Sequence, residues 1–392
     1  MLYGRGRECL IAAAMAACLI LTGCGGGGAG SRDAAANTAL IDQSPVTDQV
    51  EVRVVRNGAM QPILPVRLEP LDTPRLAELR TREKLDDVVA SGHDEFSRIL
   101  LLKNWVAAQF PHSIPDPYPP WDAMIVLDWI RAGITGGFCG QYSQVLLQSL
   151  ASLGIAARYV EIGTTDNPYA HFVVEVWSDE FGKWVVMDAD YNIHYEDAEG
   201  VPLSALEVHD ALMQQRTEEL AVVEGSVRQG HDTPSRWPLR TAELYYYYRV
   251  HLKANHLSMP DEPPFDRFND MIEWHDAATV PWESSSVPSS YPKERLTNLA
   301  SGDRAAFTNG PNRVQVSIVS IDGNEVLLRF ANNMLQLDHY QVRAPGEDWQ
   351  DSASSSYSWR PTREKDELQV RGVNIRGVQG EASVVRALFR PQ

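Results

Sequence analysis

The 392-residue chain has four cysteines, Cys9, Cys18, Cys24 and Cys139, and only the last lies outside a short N-terminal segment. Cys139 stands in Gly136-Gly137-Phe138-Cys139-Gly140-Gln141-Tyr142, followed by Val145, Leu146, Leu150 and Leu153 at helical spacing and then by Gly154. This pattern predicts a helix that opens at Cys139 behind two glycines and stops at a third. A helix N-terminus leaves N–H groups without intrahelical acceptors and favours negative charge, so it stabilises a thiolate. A free thiol ionises near pH ~8.5, and such a position with a basic partner can bring that to roughly 3.5–7.5. The chemistry open to Cys139 is nucleophilic, and the alternative is an inert buried cysteine.

A thiol nucleophile needs a base, and a base needs something to orient it. Residues 155–162 alternate as a strand, and 171–177 and 183–188 flank a turn at 178–182, which predicts a β-hairpin. If Trp177 pairs with Gly182, the register sets His171 opposite Asp188 on one face, with Cβ atoms ~4.5–5.5 Å apart. The carboxylate can then reach the imidazole. Taken singly, a strand histidine is an ordinary packing residue and Asp188 an ordinary turn opener, so the order and spacing of all three residues carry the inference.

The elements that must hold these residues can be read around them. Residues 74–90 and 93–110 have apolar residues at helical spacing, with Pro74 at a start, Gly92 between them and Pro111 as terminator. A proline-rich loop at 115–120 leads to a short helix at 121–132. Residues 192–240 show no clear pattern apart from a helix at 203–215. Residues 241–256, with Tyr245-Tyr246-Tyr247-Tyr248, read as a helix buried between layers, and stacking of those rings on sugars is the sharper alternative. Residues 281–292 form the best linker. Beyond it, 313–321, 325–330, 340–343, 368–372 and 382–389 are short alternating strands separated by turns, which favours an antiparallel sandwich.

Length predicts two domains or three. Hydrophobic residues at 44% and charged residues at 22% fit an ordinary globular chain. Lys plus Arg number 35 against 52 for Asp plus Glu, and a net charge of -17 excludes a nucleic-acid partner, whose phosphates would be repelled. His194, His209 and Asp210 lack metal-ligand spacing, no zinc or calcium motif occurs, and the glycines at 25–30 have neither the preceding strand nor the lysine of a phosphate loop. No metal and no cofactor are implied.

Arg5 and Arg7 precede an apolar run at 10–21 that is too short to span a ~30 Å hydrocarbon core, so the segment reads as a signal peptide. Leu21-Thr22-Gly23-Cys24 resembles the lipobox of bacterial lipoproteins, which implies lipidation of Cys24 and a membrane anchor. The following glycines make a tether. Gly25 after that cysteine implies the periplasmic face of the outer membrane in a Gram-negative host. The expected organisation is a signal peptide at 1–23, a tether and N-terminal segment at 24–65, a catalytic domain at 66–285 and a β-sandwich at 286–392.

Gly-Phe-Cys-Gly-Gln-Tyr opening a helix, Leu-Gly-Ile-Ala-Ala-Arg leading to a strand, then His-Phe-Val-Val-Glu-Val and Gly-Lys-Trp-Val-Val-Met-Asp together resemble the transglutaminase-like core, a papain-related cysteine fold, over residues 121–190. The resemblance implies an α+β, papain-like core followed by the antiparallel sandwich, which is itself only weakly similar to immunoglobulin-like modules because no diagnostic cysteine pair is present. It implies Cys139 as nucleophile, His171 as base and Asp188 as the residue orienting that base. The Cys139 amide is a natural oxyanion donor, with a second donor left open among Trp105, Gln109 and Trp121. The implied activity is acyl transfer or amide hydrolysis on a peptide or protein. The rival is an inactive scaffold or binding lipoprotein that engages envelope polysaccharide or protein partners.

Overall fold

A computed structural model describes residues 50–167, 170–229, 241–259, 271–276 and 300–389. The expected signal peptide, Cys24, the glycine tether and the 281–292 linker lie outside the described residues. No helix among the described residues is long and apolar enough to cross a membrane.

Five helices precede the central sheet: α1 (Pro74–Arg82), α2 (Leu85–Val89), α3 (Glu95–Ala107), α4 (Ala123–Arg131) and α5 (Cys139–Ser152). Their starts follow capping chemistry. Pro74 occupies the first turn of α1. Asp94 accepts from the Ser97 amide at 2.7 Å while Ser97 Oγ accepts from the Asp94 amide at 3.1 Å, which starts α3. Asp122 accepts from the Met124 amide at 2.9 Å to start α4 and is itself held by Arg75 Nε at 2.7 Å. The central helix, α5, is buried along almost its whole length. Its Tyr142, Val145, Leu146 and Leu150 share a core with Ile99, Leu102 and Val106 of α3 and Leu127 of α4.

Against α5 lies a six-stranded sheet in the order 300–301, 271–274, 247–251, 157–163, 171–178, 183–187. All neighbours are antiparallel except the first two, which are parallel. Strand periodicity of two sorts the side chains. Tyr159, Val174, Val176 and Met187 join the core around α5, while Val160, Ile162, Val173 and Val186 join a second core with Leu206 and Val208 of α6 (Ala205–Met213).

Three expectations change here. The predicted helix at 241–256 is a short 3₁₀ turn at Thr241–Leu244 followed by the strand Tyr247–His251 within the central sheet. Apolar character on all sides reads equally as a buried helix or as a strand covered on both faces, and aromatics favour the strand. Tyr245, Tyr247 and Tyr248 are buried, so they do not form an exposed platform for sugars. Residues 300–308, expected in the sandwich, belong to the first unit. The strand Ala300–Ser301 pairs with the central sheet, and Phe307 of the short helix α7 (Arg304–Thr308) packs in the core beside Tyr248 and Trp274.

The C-terminal part has two antiparallel sheets, one of five strands (50–56, 383–389, 367–374, 337–343, 350–352) and one of three (314–322, 325–332, 356–359). They enclose a core of Val314, Val316, Leu328, Phe330, Val370 and Val385. Its edge strand Val50–Arg56, read as part of the N-terminal segment, pairs antiparallel with the final strand, Val52 opposite Ala387. Val50 and Val52 are fully buried in this core. The chain therefore enters through the C-terminal unit before building the first one, a non-local pairing that alternation alone does not reveal.

Candidate active site

Cys139 is the first residue of α5, is 9% exposed and is unbridged. Phe138 at the cap position supplies no side-chain acceptor, and Gln141 Oε1 instead reaches back to the Phe138 amide at 3.2 Å. The two preceding glycines permit close packing. A Cβ on Gly137 would lie 2.5 Å from the Phe110 ring, and one on Gly136 would lie 2.5 Å from both Ser113 Oγ and the Ile114 carbonyl oxygen. Through that approach the Ser113 amide donates to the Gly137 carbonyl at 2.7 Å, which fastens the loop after α3 onto the entrance of α5. Tyr142 OH donates to the Phe110 carbonyl from the other side.

His171 opens its strand and Asp188 directly follows the partner strand Lys183–Met187. The hairpin register differs from the expected one. Trp177 pairs with Trp184, and Ser178 with Lys183, so the turn takes four residues, 179–182, and His171 is not directly opposite Asp188. A shift of two residues keeps every side chain on its own face, whereas a shift of one would have reversed them. The two side chains still meet on the expected face, His171 Nε2 to Asp188 Oδ2 at 2.7 Å, each residue 4% exposed.

With Nε2 donating to Asp188, Nδ1 is the nitrogen left for Cys139, whose sulfur lies close enough to favour the protonated ring. Burial alone would favour a neutral imidazole. The Asp188 carboxylate, by charge and hydrogen bond, and the Cys139 sulfur outweigh it, so His171 holds its proton well above the ordinary histidine range. Asp188 is fixed in turn: its Oδ1 accepts from the amides of Asp190 at 2.9 Å and Tyr191 at 3.0 Å. The Tyr191 ring stacks on His171 with centroids 4.6 Å apart.

Sequence reading missed several residues around this centre. Lys103 of α3 is fully buried and its Nζ donates to both the carbonyl and the side-chain oxygen of Asn192 at 2.8 Å, clamping the turn that follows Asp188. Burial pushes this ammonium down to about 7 against the opposing charges of Asp188 and Glu224. Its place between Ile99, Leu102 and Val106 on a helix was a legible signal of an inward-facing charge. His112 lies on the fastened loop, and its Nδ1 sits 2.9 Å from both oxygens of Asp190. No sequence signal joins those two residues.

Of the three residues left open as a second oxyanion donor, Gln109 is engaged through Nε2 with the Trp105 carbonyl at 2.9 Å and through Oε1 with Arg131 at 2.7 Å. Trp105 packs against the helical core. Trp121 packs 5.0 Å from the Tyr159 ring, whose hydroxyl donates to the Gly140 carbonyl at 3.3 Å. Among the described residues no cluster of His, Cys, Asp or Glu is arranged to hold a metal ion. His209, one of the residues weighed for metal binding, instead bonds the Tyr245 carbonyl at 2.7 Å and Asp276 at 3.1 Å.

No curated protein sequence matches the chain. Among solved structures, the crystal structure of red sea bream transglutaminase is similar at 10% identity over 82% of this chain and 73% of that one, with a TM-score of 0.24. Residues 82–189 match the model of the transglutaminase-like superfamily, a span that includes α3 to α5 and the hairpin. The chain thus carries a transglutaminase-like domain at residues 82–189, and Cys139, His171 and Asp188 all fall within it.

Proposed function

We propose that the protein is a thiol enzyme that uses Cys139, His171 and Asp188 for acyl transfer or amide hydrolysis on a peptide or protein substrate. The observation that carries this reading is the His171 imidazole bonded at 2.7 Å to a buried carboxylate on one nitrogen and interacting with the Cys139 sulfur. Cys139 attacks the substrate carbonyl as a thiolate, and the imidazolium of His171 gives its proton to the departing amine. Asp188 keeps the ring oriented and its cationic form stable. Amide groups at the open start of α5 face the developing oxyanion. What remains is a thioester on Cys139, resolved by water or by an amine.

The same reading places the enzyme in the cell envelope, exported by residues 1–23 and anchored through lipid on Cys24, with the periplasmic face of the outer membrane as its site in a Gram-negative host. The lipobox-like Leu21-Thr22-Gly23-Cys24 supports this. Metabolic labelling with a palmitate analogue tests it: label should appear on the wild type and vanish in Cys24→Ala.

Reaction with iodoacetamide at pH ~6 tests the catalytic reading. Cys139 should be alkylated far faster than free cysteine, which is mostly protonated there. His171→Ala should reduce that rate toward the free-thiol value, and Cys139→Ala should abolish turnover of any substrate found. Labelling at the free-cysteine rate in the wild type would instead favour a scaffold that has kept the fold without the chemistry.

A further inference from the structure

A cleft of about 840 Å³ lies between the first unit and the sandwich, with Leu153 and Ile155, just past the end of α5, in its lining. Cys139 is at the other end of that helix. The fourteen residues of α5, at ~1.5 Å each, set its two ends roughly 20 Å apart, so the cleft is separate from the thiol centre. Its sandwich wall is the loop 374–380, which is fastened to the end of α5. Asn374 Nδ2 donates to the Gly154 carbonyl at 3.1 Å, and Asn374 Oδ1 accepts from the amides of Arg376 at 2.9 Å and Val378 at 3.1 Å. A Cβ on Gly154 would lie 2.5 Å from the Arg376 Cβ, so glycine is what admits this approach.

Both signs of charge line the cleft, and they are used differently. The carboxylates are taken up within the protein. Asp86 is bonded by Arg80 at 2.6 Å, Glu95 accepts from Ser178 Oγ and the Glu180 amide at 2.9 Å, and Asp179 accepts from Trp177 Nε1 and Asn312 Nδ2 at 2.8 Å. Asp94 caps α3, and Glu180 accepts from the Phe96 amide at 3.2 Å. Three guanidiniums have no carboxylate bonded to them among the described residues. Arg98 is exposed and meets charge through Asp86, which Arg80 already holds. Arg371 donates to the neutral Gln341 Oε1 at 2.9 Å and lies 3.9 Å over the Trp349 ring. Burial and the like charge of Arg343 push its pKa down, and a carboxylate beside it would offset that cost. Arg376 donates through Nη2 to the Leu71 carbonyl at 2.6 Å, while its Nε is buried without a hydrogen-bond partner.

We propose that this cleft binds an acidic peptide segment, its carboxylates bonded by Arg98, Arg371 and Arg376 and its apolar side chains set against Leu153 and Val378. A guanidinium matches a carboxylate with two parallel donors, and the volume is that of an ordinary ligand site. A carboxylated glycan would meet the same cations, but no aromatic ring of a described residue lines the cleft to hold a sugar face, which favours peptide. The site is independent of the chemistry at Cys139.

Fluorescence anisotropy on the full chain tests this with a fluorescein-labelled hexapeptide of alternating glutamate and leucine, its lysine–leucine counterpart, and trigalacturonate as a competitor. The acidic peptide should bind, less tightly as salt rises, and the basic one should not. Arg98→Gln and Arg371→Gln should each weaken binding by roughly tenfold or more, since each removes a charge-assisted bond. Arg98 is exposed, so its variant reports binding without a folding cost. Absence of binding by the acidic peptide, equal binding of the basic one, or affinity that survives both substitutions overturns the proposal. Displacement by trigalacturonate at a lower concentration than by unlabelled peptide overturns the peptide assignment in favour of a glycan.

Discussion

The two units of this molecule treat charge in opposite ways. The interior of the unit that holds the transglutaminase-like domain contains Lys103, Arg158, Glu161, Glu175, Asp188 and Arg249, whereas beyond residue 300 the buried polar side chains among the described residues are Asn312, Asn374 and Ser383, none of them charged. The sandwich core is built from Val, Leu, Phe and Tyr with a single Trp and Ala. Burying a charge is costly unless it is paired and bonded, so its concentration in one unit marks where geometry matters more than stability. Arg158 shows the construction. Its guanidinium bonds Glu175 at 2.8 Å, the Tyr248 hydroxyl at 2.8 Å and the Phe307 carbonyl at 2.8 Å, and lies 4.1 Å over the Trp184 ring. Glu175 in turn accepts from the Ala205 amide at 2.9 Å, the first residue of α6. One buried pair thereby ties together the strand leading from α5, the His171 strand, the Tyr247–His251 strand and α7.

Perturbing each unit separately tests this contrast. The largest effect is expected at the catalytic pair. Asp188→Asn should lower turnover by on the order of 10²–10⁴-fold through loss of tautomer control. It should also move the alkaline limb of the rate profile down, because Asp188 is what raises His171. The sign follows: a histidine whose folded pKa is raised contributes stability fully below its unfolded value of ~6.5 and loses it as pH climbs through the higher folded value, so the variant should be penalised most below pH ~6.5 and progressively less as the pH rises above it. An unmoved limb would remove Asp188 from its role.

Arg158→Met should come next, destabilising the fold by about 3–5 kcal/mol in urea melts because Glu175 is left buried without its cation. Leu328→Ala in the sandwich should cost about 2–5 kcal/mol through its cavity, yet leave the iodoacetamide reactivity of Cys139 unchanged in the folded fraction. If that reactivity falls, the sandwich does more than pack. The smallest effect is expected at Glu161. Burial pushes its carboxyl up to about 8, against the lowering charge of Arg249 and with added push from Glu273. Between its unfolded value near 4.5 and about 8, wild-type stability should therefore fall with pH, and the melting temperature of Glu161→Gln should exceed wild type by more at pH 8 than at pH 5.

Much of the site was legible because it depends on local order. The helix opening at Cys139 follows from glycines and apolar spacing, and the hairpin follows from alternation around a turn. The register illustrates the limit. The strand pairing was read two residues out of register, but an even shift preserves faces, so His171 and Asp188 remained on one side despite the wrong partners. The tyrosine segment was misassigned because burial on both faces erases the alternation that separates strand from helix.

Sequence alone determined the chemical kinds and the chain order of Cys139, His171 and Asp188, since residue type, periodicity of two and of 3.6, and glycine stops act over a few residues. Tertiary structure decided what lies far apart along the chain: the Val50–Arg56 strand closing against Ser383–Phe389, Lys103 clamping Asn192, and His112 meeting Asp190. Such pairs form where separate elements pack and bury their polar groups together, and a linear pattern holds no record of which distant partner satisfies which group.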